Sequence, residues 1–130
     1  MSKRITLQKN ARTAKLAGKE REVHSYRLIR KADVSVDDLV THIMLEYGIE
    51  EPITHRVTKA IGESVTRFVS EGRGVHIPYL GMVTPALEAS AAKTQEELTP
   101  EMVRGIRMRF YPLASIKREL KKLAKFRFLR

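Results

Sequence analysis

The sequence predicts an α+β fold: a β-hairpin, two helices, a three-stranded antiparallel sheet and a closing helix. Three observations predict it. Apolar residues recur at helical spacing in two adjoining stretches, from Val36 to Tyr47 and from Ile53 to Phe68. Period-two alternation marks Val75, Ile77 and Tyr79, and again Ile106, Met108 and Phe110. A last stretch, 113–124, returns to helical spacing, with Ile116, Leu120, Leu123 and Ala124 inward and Lys117, Arg118, Lys121 and Lys122 outward.

The first 32 residues read as a hairpin extension. Ile5 and Leu7 alternate with polar neighbours, and His24, Tyr26 and Leu28 share a face, so strands are expected over 3–9 and 22–31. The polar, Lys/Arg-rich stretch from Asn10 to Arg21 is expected as a long mobile loop. Ser35 then reads as a helix N-cap, with Asp37 and Asp38 favoured by the positive end of the helix dipole. Gly48 stops that helix, and Pro52 opens the next where its missing N–H costs nothing. Ile53, Val57, Ala60, Ile61, Ser64, Val65 and Phe68 are the expected inward face, and Gly72 ends the run. Residues 82–87 read as the second strand of the sheet. Residues 88–105 are small, polar and acidic, with one helical turn expected at Thr99-Pro100-Glu101.

Composition narrows the function. The chain has 130 residues, 42% apolar and 31% charged, enough apolar content to build a core. It has no cysteine, which removes disulfides, thiol nucleophiles and thiolate metal sites. No apolar run approaches the roughly 20 residues of a membrane-spanning helix. No apolar segment follows Met1-Ser2-Lys3-Arg4 before Glu20, so no secretion signal is expected and a cytoplasmic location is the default. His24, His42, His55 and His76 are dispersed, and no nucleophile–base pairing stands out, so neither a metal, a cofactor, a small-molecule substrate nor an enzyme is expected.

Lys and Arg number 25 against 15 acids, a formal charge of +10 that points toward a polyanion. The charge is unevenly placed. Residues 1–31 carry ten cations and two acids, residues 32–72 three and eight, residues 73–105 three and four, and residues 106–130 nine and one. Two basic ends therefore flank an acidic centre.

Three segments resemble the HU/IHF family of bacterial histone-like DNA-binding proteins. Val34-Ser35-Val36-Asp37-Asp38-Leu39-Val40 is similar to that family's first helix start. Gly74-Val75-His76-Ile77-Pro78-Tyr79-Leu80-Gly81-Met82-Val83 resembles its strand–turn–strand signature. Phe110-Tyr111-Pro112, followed by Ile116 to Lys121, resembles its third strand running into the closing helix. The N-terminal hairpin and the short insert where the family's arm stands resemble the longer HU-HIG variants. The resemblance implies an HU/IHF-like domain over 33–126, between the hairpin extension at 1–32 and a basic tail at 127–130. It also implies a nucleoid-associated homodimer that binds double-stranded DNA across a β-saddle.

One departure bears on mechanism. The family's long basic arm carries an Arg-Asn-Pro tip whose proline wedges between base pairs. Residues 88–105 instead hold Glu88, Glu96, Glu97 and Glu101 against Lys93 and Arg104, with no Arg-Asn-Pro. Contact is expected without that wedge. Arg107 and Arg109 share a strand face roughly 7 Å apart, comparable to successive phosphates. Arg104, Lys93, Arg73, Lys117 and Lys121 complete the expected DNA-binding set, with Lys125 extending a helical stripe from Lys117 and Lys121. Tyr79 and Tyr111 are expected to pack in a core or an interface. Two rival readings stand beside DNA binding: an HU-like protein-interaction module that has lost it, and RNA binding.

Overall fold

The computed structural model describes residues 3–129, with Leu16 described by its backbone only. The chain divides into two compact units, one of residues 1–34 with 119–130, the other of residues 35–118.

In the first unit, β1 (Ile5–Leu16) and β2 (Lys19–Ile29) pair antiparallel from Thr6↔Ile29 to Leu16↔Lys19. Only Ala17 and Gly18 separate them, at φ 52° and 78°. Positive φ at both turn residues is the two-residue hairpin turn whose twist suits the flanking strands. The expected mobile loop over 10–21 is therefore strand and tight turn. Its backbone pairs along its length while most of its side chains face solvent, so no apolar alternation betrays it.

A third strand, β6 (Phe126–Phe128), joins this sheet in parallel with the start of β1, giving the order β2-β1-β6. The Ile5 N–H donates to the Lys125 carbonyl at 2.7 Å, and the Leu129 N–H to the Leu7 carbonyl at 2.9 Å. The Phe128 ring meets Tyr26 edge-on, with centroids 5.4 Å apart. Part of the expected tail at 127–130 is thus a paired strand; Arg130, like Met1 and Ser2 of the hairpin extension, lies outside the described residues.

In the second unit, α1 (Val36–Tyr47) begins at Ser35, whose hydroxyl accepts from the Asp38 N–H at 3.1 Å. It ends at Gly48 in the left-handed conformation. α2 (Glu51–Ser70) carries Pro52 in its first turn. The sheet has the order β3-β4-β5, from β3 (Val75–Ile77), β4 (Gly81–Ala89) and β5 (Val103–Pro112), all antiparallel. α3 (Ala114–Leu123) follows, and the boundary between the units falls within it. It ends before Lys125, so the expected stripe stops at Lys121.

The core of this unit is small. Val65 and Val69 of α2 pack on Val83 of β4, with Val75 and Ile77 of β3 against them. Val40 of α1 and Thr54 of α2 are also buried. The buried stripe of α2 thus lies to one side of the expected one. Val57, Ile61 and Phe68 are 52%, 45% and 38% exposed, and they edge an open groove that also meets Val75, Ile77 and Pro78. Gly81 is required by packing: a Cβ there would stand 2.3 Å from the Tyr111 carbonyl oxygen.

Candidate nucleic-acid interface

The two faces of β3-β4-β5 differ in chemistry because ladder partners share a face. Val83↔Phe110, Pro85↔Met108 and Leu87↔Ile106 lie on the α2 side, where Ile106 and Met108 border Val69. Thr84↔Arg109, Ala86↔Arg107 and Met82↔Tyr111 lie on the other. The period of two therefore places Arg107 and Arg109 side by side on the face turned away from α2. Their ladder partners Ala86 and Thr84 are small, and Glu88, on the same face and diagonal to Arg107, forms no ion pair with it among the described residues. Both arginines are exposed, and neither has a carboxylate partner among the described residues.

Two guanidiniums spaced roughly 7 Å apart on a flat exposed face can each donate a forked pair of hydrogen bonds to anionic oxygens. Tyr111 lies on the same face, half exposed, two residues beyond Arg109. It does not pack in the core of its own chain. Tyr79 is 91% exposed at the turn between β3 and β4, with φ 63°.

The other expected residues are placed differently. Arg104 is the extra residue where the β4–β5 register shifts, between the Glu88↔Gly105 and Ala89↔Val103 pairs. Gly105 has φ 150°, a conformation open to glycine, and Arg104 donates to the Ser90 hydroxyl at 2.7 Å. Lys93 stands in the connection between β4 and β5, beside two short 3₁₀ turns at Gln95–Glu97 and Pro100–Met102. The sequence marks only the second of these turns, through Pro100. Glu96, Glu97 and Glu101 are all exposed there, as is Glu88 near the end of β4. Arg73 follows α2, its guanidinium 5.1 Å from the centre of the Phe68 ring, so it is already engaged in a cation–π contact. Lys117 and Lys121 share one side of α3, one helical turn apart.

Among the described residues, no three His, Asp or Glu side chains gather as a metal site. No helix is long and apolar enough to cross a membrane.

A family model described as an HU domain fused to wHTH, Ig, or Glycine-rich motif matches residues 1–127. The chain belongs to the HU-HIG family. A crystal structure from Bacteroides vulgatus, named "Putative bacterial DNA binding protein", shares the fold of this HU-HIG chain with a TM-score of 0.65. Identity is 11%, over 95% of this chain and 48% of that one, so the HU-HIG chain spans about half of that structure's length. No curated protein matches it.

Proposed function

We propose that this HU-HIG chain binds double-stranded DNA as a homodimer, with little sequence preference, through phosphate contacts centred on Arg107 and Arg109. The observation that carries the reading is the pair of exposed, unpaired guanidiniums on the sheet face away from α2. Family membership and the named activity of the structural neighbour support it. Phosphate contacts supply affinity without reading sequence. Lys117 and Lys121, and to a lesser degree Arg104 and Lys93, add positive potential nearby in the chain. Arg73 contributes least, because its guanidinium already lies over Phe68. The role is architectural rather than catalytic, and its place is the nucleoid.

The exposed carboxylates of residues 88–105 repel phosphate, and the segment has no Arg-Asn-Pro tip. Binding therefore proceeds without a wedge-driven sharp bend.

Uncovered apolar surface supports the dimer. The chain exposes 11658 Å². Two separately compact units of these sizes would together expose only roughly 8,400 Å². Val57, Ile61 and Phe68 along the groove, with Ile106, Met108 and Phe110 on the helix side of the sheet, are 38–52% exposed. Half-exposed apolar side chains in this number are what a permanent subunit interface covers.

Arg107→Ala with Arg109→Ala tests the reading. The pair should weaken binding to unrelated duplexes by similar factors, without changing their ranking. Loss confined to one sequence would mean base readout instead. Failure of the wild-type protein to shift any duplex at low salt, with a co-purifying protein partner, would favour the interaction-module reading that the acidic 88–105 segment suggests. Preference for structured RNA over duplex DNA in direct competition would favour the RNA reading.

A further inference from the structure

The β2-β1-β6 sheet sorts its charges by face. Its register puts the even-numbered residues of β1 on one face with the odd-numbered residues of β2, and Arg127 joins them opposite Thr6. That face carries Arg12, Arg21, Arg27, Arg127 and, at the hairpin end, Lys19, with no carboxylate. The opposite face carries Lys9 and Lys15 against Glu20 and Glu22, with Lys15 directly across from Glu20. A surface that only keeps a protein soluble mixes its signs. Here one face is balanced and the other is purely cationic.

The cationic face is also arranged at a cost. Arg12 and Arg21 occupy diagonal positions on adjacent strands, roughly 7–8 Å apart, where like charges repel. All four arginines are exposed, and none has an ion pair among the described residues. Arg27 donates twice to Gln8 Oε1, at 3.2 and 2.7 Å, which holds its guanidinium along the strand surface without neutralising it. From the Arg127 level to Lys19 the row runs about 34 Å, near the length of one turn of duplex DNA. Past β6 the sheet narrows to a two-stranded ribbon, a width that the major groove admits.

We propose that this arginine face of the N-terminal sheet is a second duplex-DNA contact surface, acting on backbone phosphates in addition to Arg107 and Arg109. It rests on the duplex-binding reading above. The basic ribbon of this chain is β1–β2, while the β4–β5 connection is acidic.

The test is salt-dependent binding of the full chain to a random duplex. Arg12→Gln with Arg21→Gln and Arg27→Gln should make the slope of log affinity against log salt shallower by about 2.7, at about 0.9 per phosphate contact. Lys9→Gln with Lys15→Gln, on the opposite face, should leave it unchanged. A wild-type slope in the triple variant overturns this proposal and leaves the Arg107/Arg109 reading standing. An unchanged slope in Arg107→Ala with Arg109→Ala, beside a shallower slope in the triple variant, does the reverse. No duplex binding by the wild type overturns both. Because the chain has no cysteine, a photo-crosslinker on Ser25→Cys (arginine face) or Thr13→Cys (opposite face) gives a second measurement that leaves the arginines intact. Crosslinks to DNA are expected from Ser25→Cys only. Equal yields, or crosslinks from Thr13→Cys alone, overturn the proposal.

Discussion

Replacing Gly81 with alanine asks whether β4 and β5 come together as closely as described. Gly81 pairs with Pro112 at the start of β4. An added Cβ would lie 2.3 Å from the Tyr111 carbonyl oxygen, 2.9 Å from the Pro112 Cα and 3.0 Å from Phe110 Cε1. Carbon–oxygen contacts normally settle near about 3.3–3.6 Å. The strands would have to separate by about 1 Å, and two of the three obstructing atoms belong to backbone rather than to a side chain that could swing away. Such overpacking lies at the upper end of the usual penalty, about 3 kcal/mol. For a domain of this size that lowers Tm by roughly 12–24 °C. The control is Gly62→Ala, within α2, where an added Cβ meets nothing within 4 Å. There alanine should add about 0.5–1 kcal/mol through helix propensity. Thermal unfolding followed by circular dichroism measures both. A Gly81→Ala protein melting within about 4 °C of wild type, the equivalent of roughly 1 kcal/mol, would refute the close approach and the strand register that depends on it.

Other variants test separate parts of the structure. Ser35→Ala removes the hydroxyl that accepts from the Asp38 N–H and should cost about 1 kcal/mol in a denaturant titration; no change would mean that the cap is not made. Phe128→Ala removes the edge-on contact with Tyr26 and should release β6, so the Ile5 and Leu129 amides should lose protection from hydrogen exchange while those of α2 keep theirs. Ile61→Glu places a charge in the half-exposed groove and should convert a dimer to monomer in sedimentation; an unchanged dimer would put the interface elsewhere.

The parts of the fold that declare themselves in the sequence are those with local causes. Ser35, Asp37, Asp38 and Gly48 mark the ends of α1 by capping and dipole chemistry, and Pro52 marks the first turn of α2. β5 is legible from Ile106, Met108 and Phe110, and the same alternation puts Arg107 and Arg109 together. What stays hidden depends on distant partners. β6 exists because Phe126–Phe128 finds β1 at the other end of the chain, a pairing that no local pattern encodes. Residues 10–16 form a strand with few apolar side chains, because backbone hydrogen bonds rather than burial hold the hairpin together. The arginine face of that sheet appears only once the register is known, since a shift of one residue would move Arg12 to the other face. Arg73 looks free in sequence; its place over Phe68 follows from the turn after α2, where its N–H donates to the Phe68 carbonyl.

Phosphate-based duplex binding should show itself in the salt dependence of wild-type affinity for a random duplex. With six to eight phosphates neutralised, log affinity should fall with log salt at a slope of about −5 to −7. A slope near zero would mean that phosphate contacts do not carry the binding.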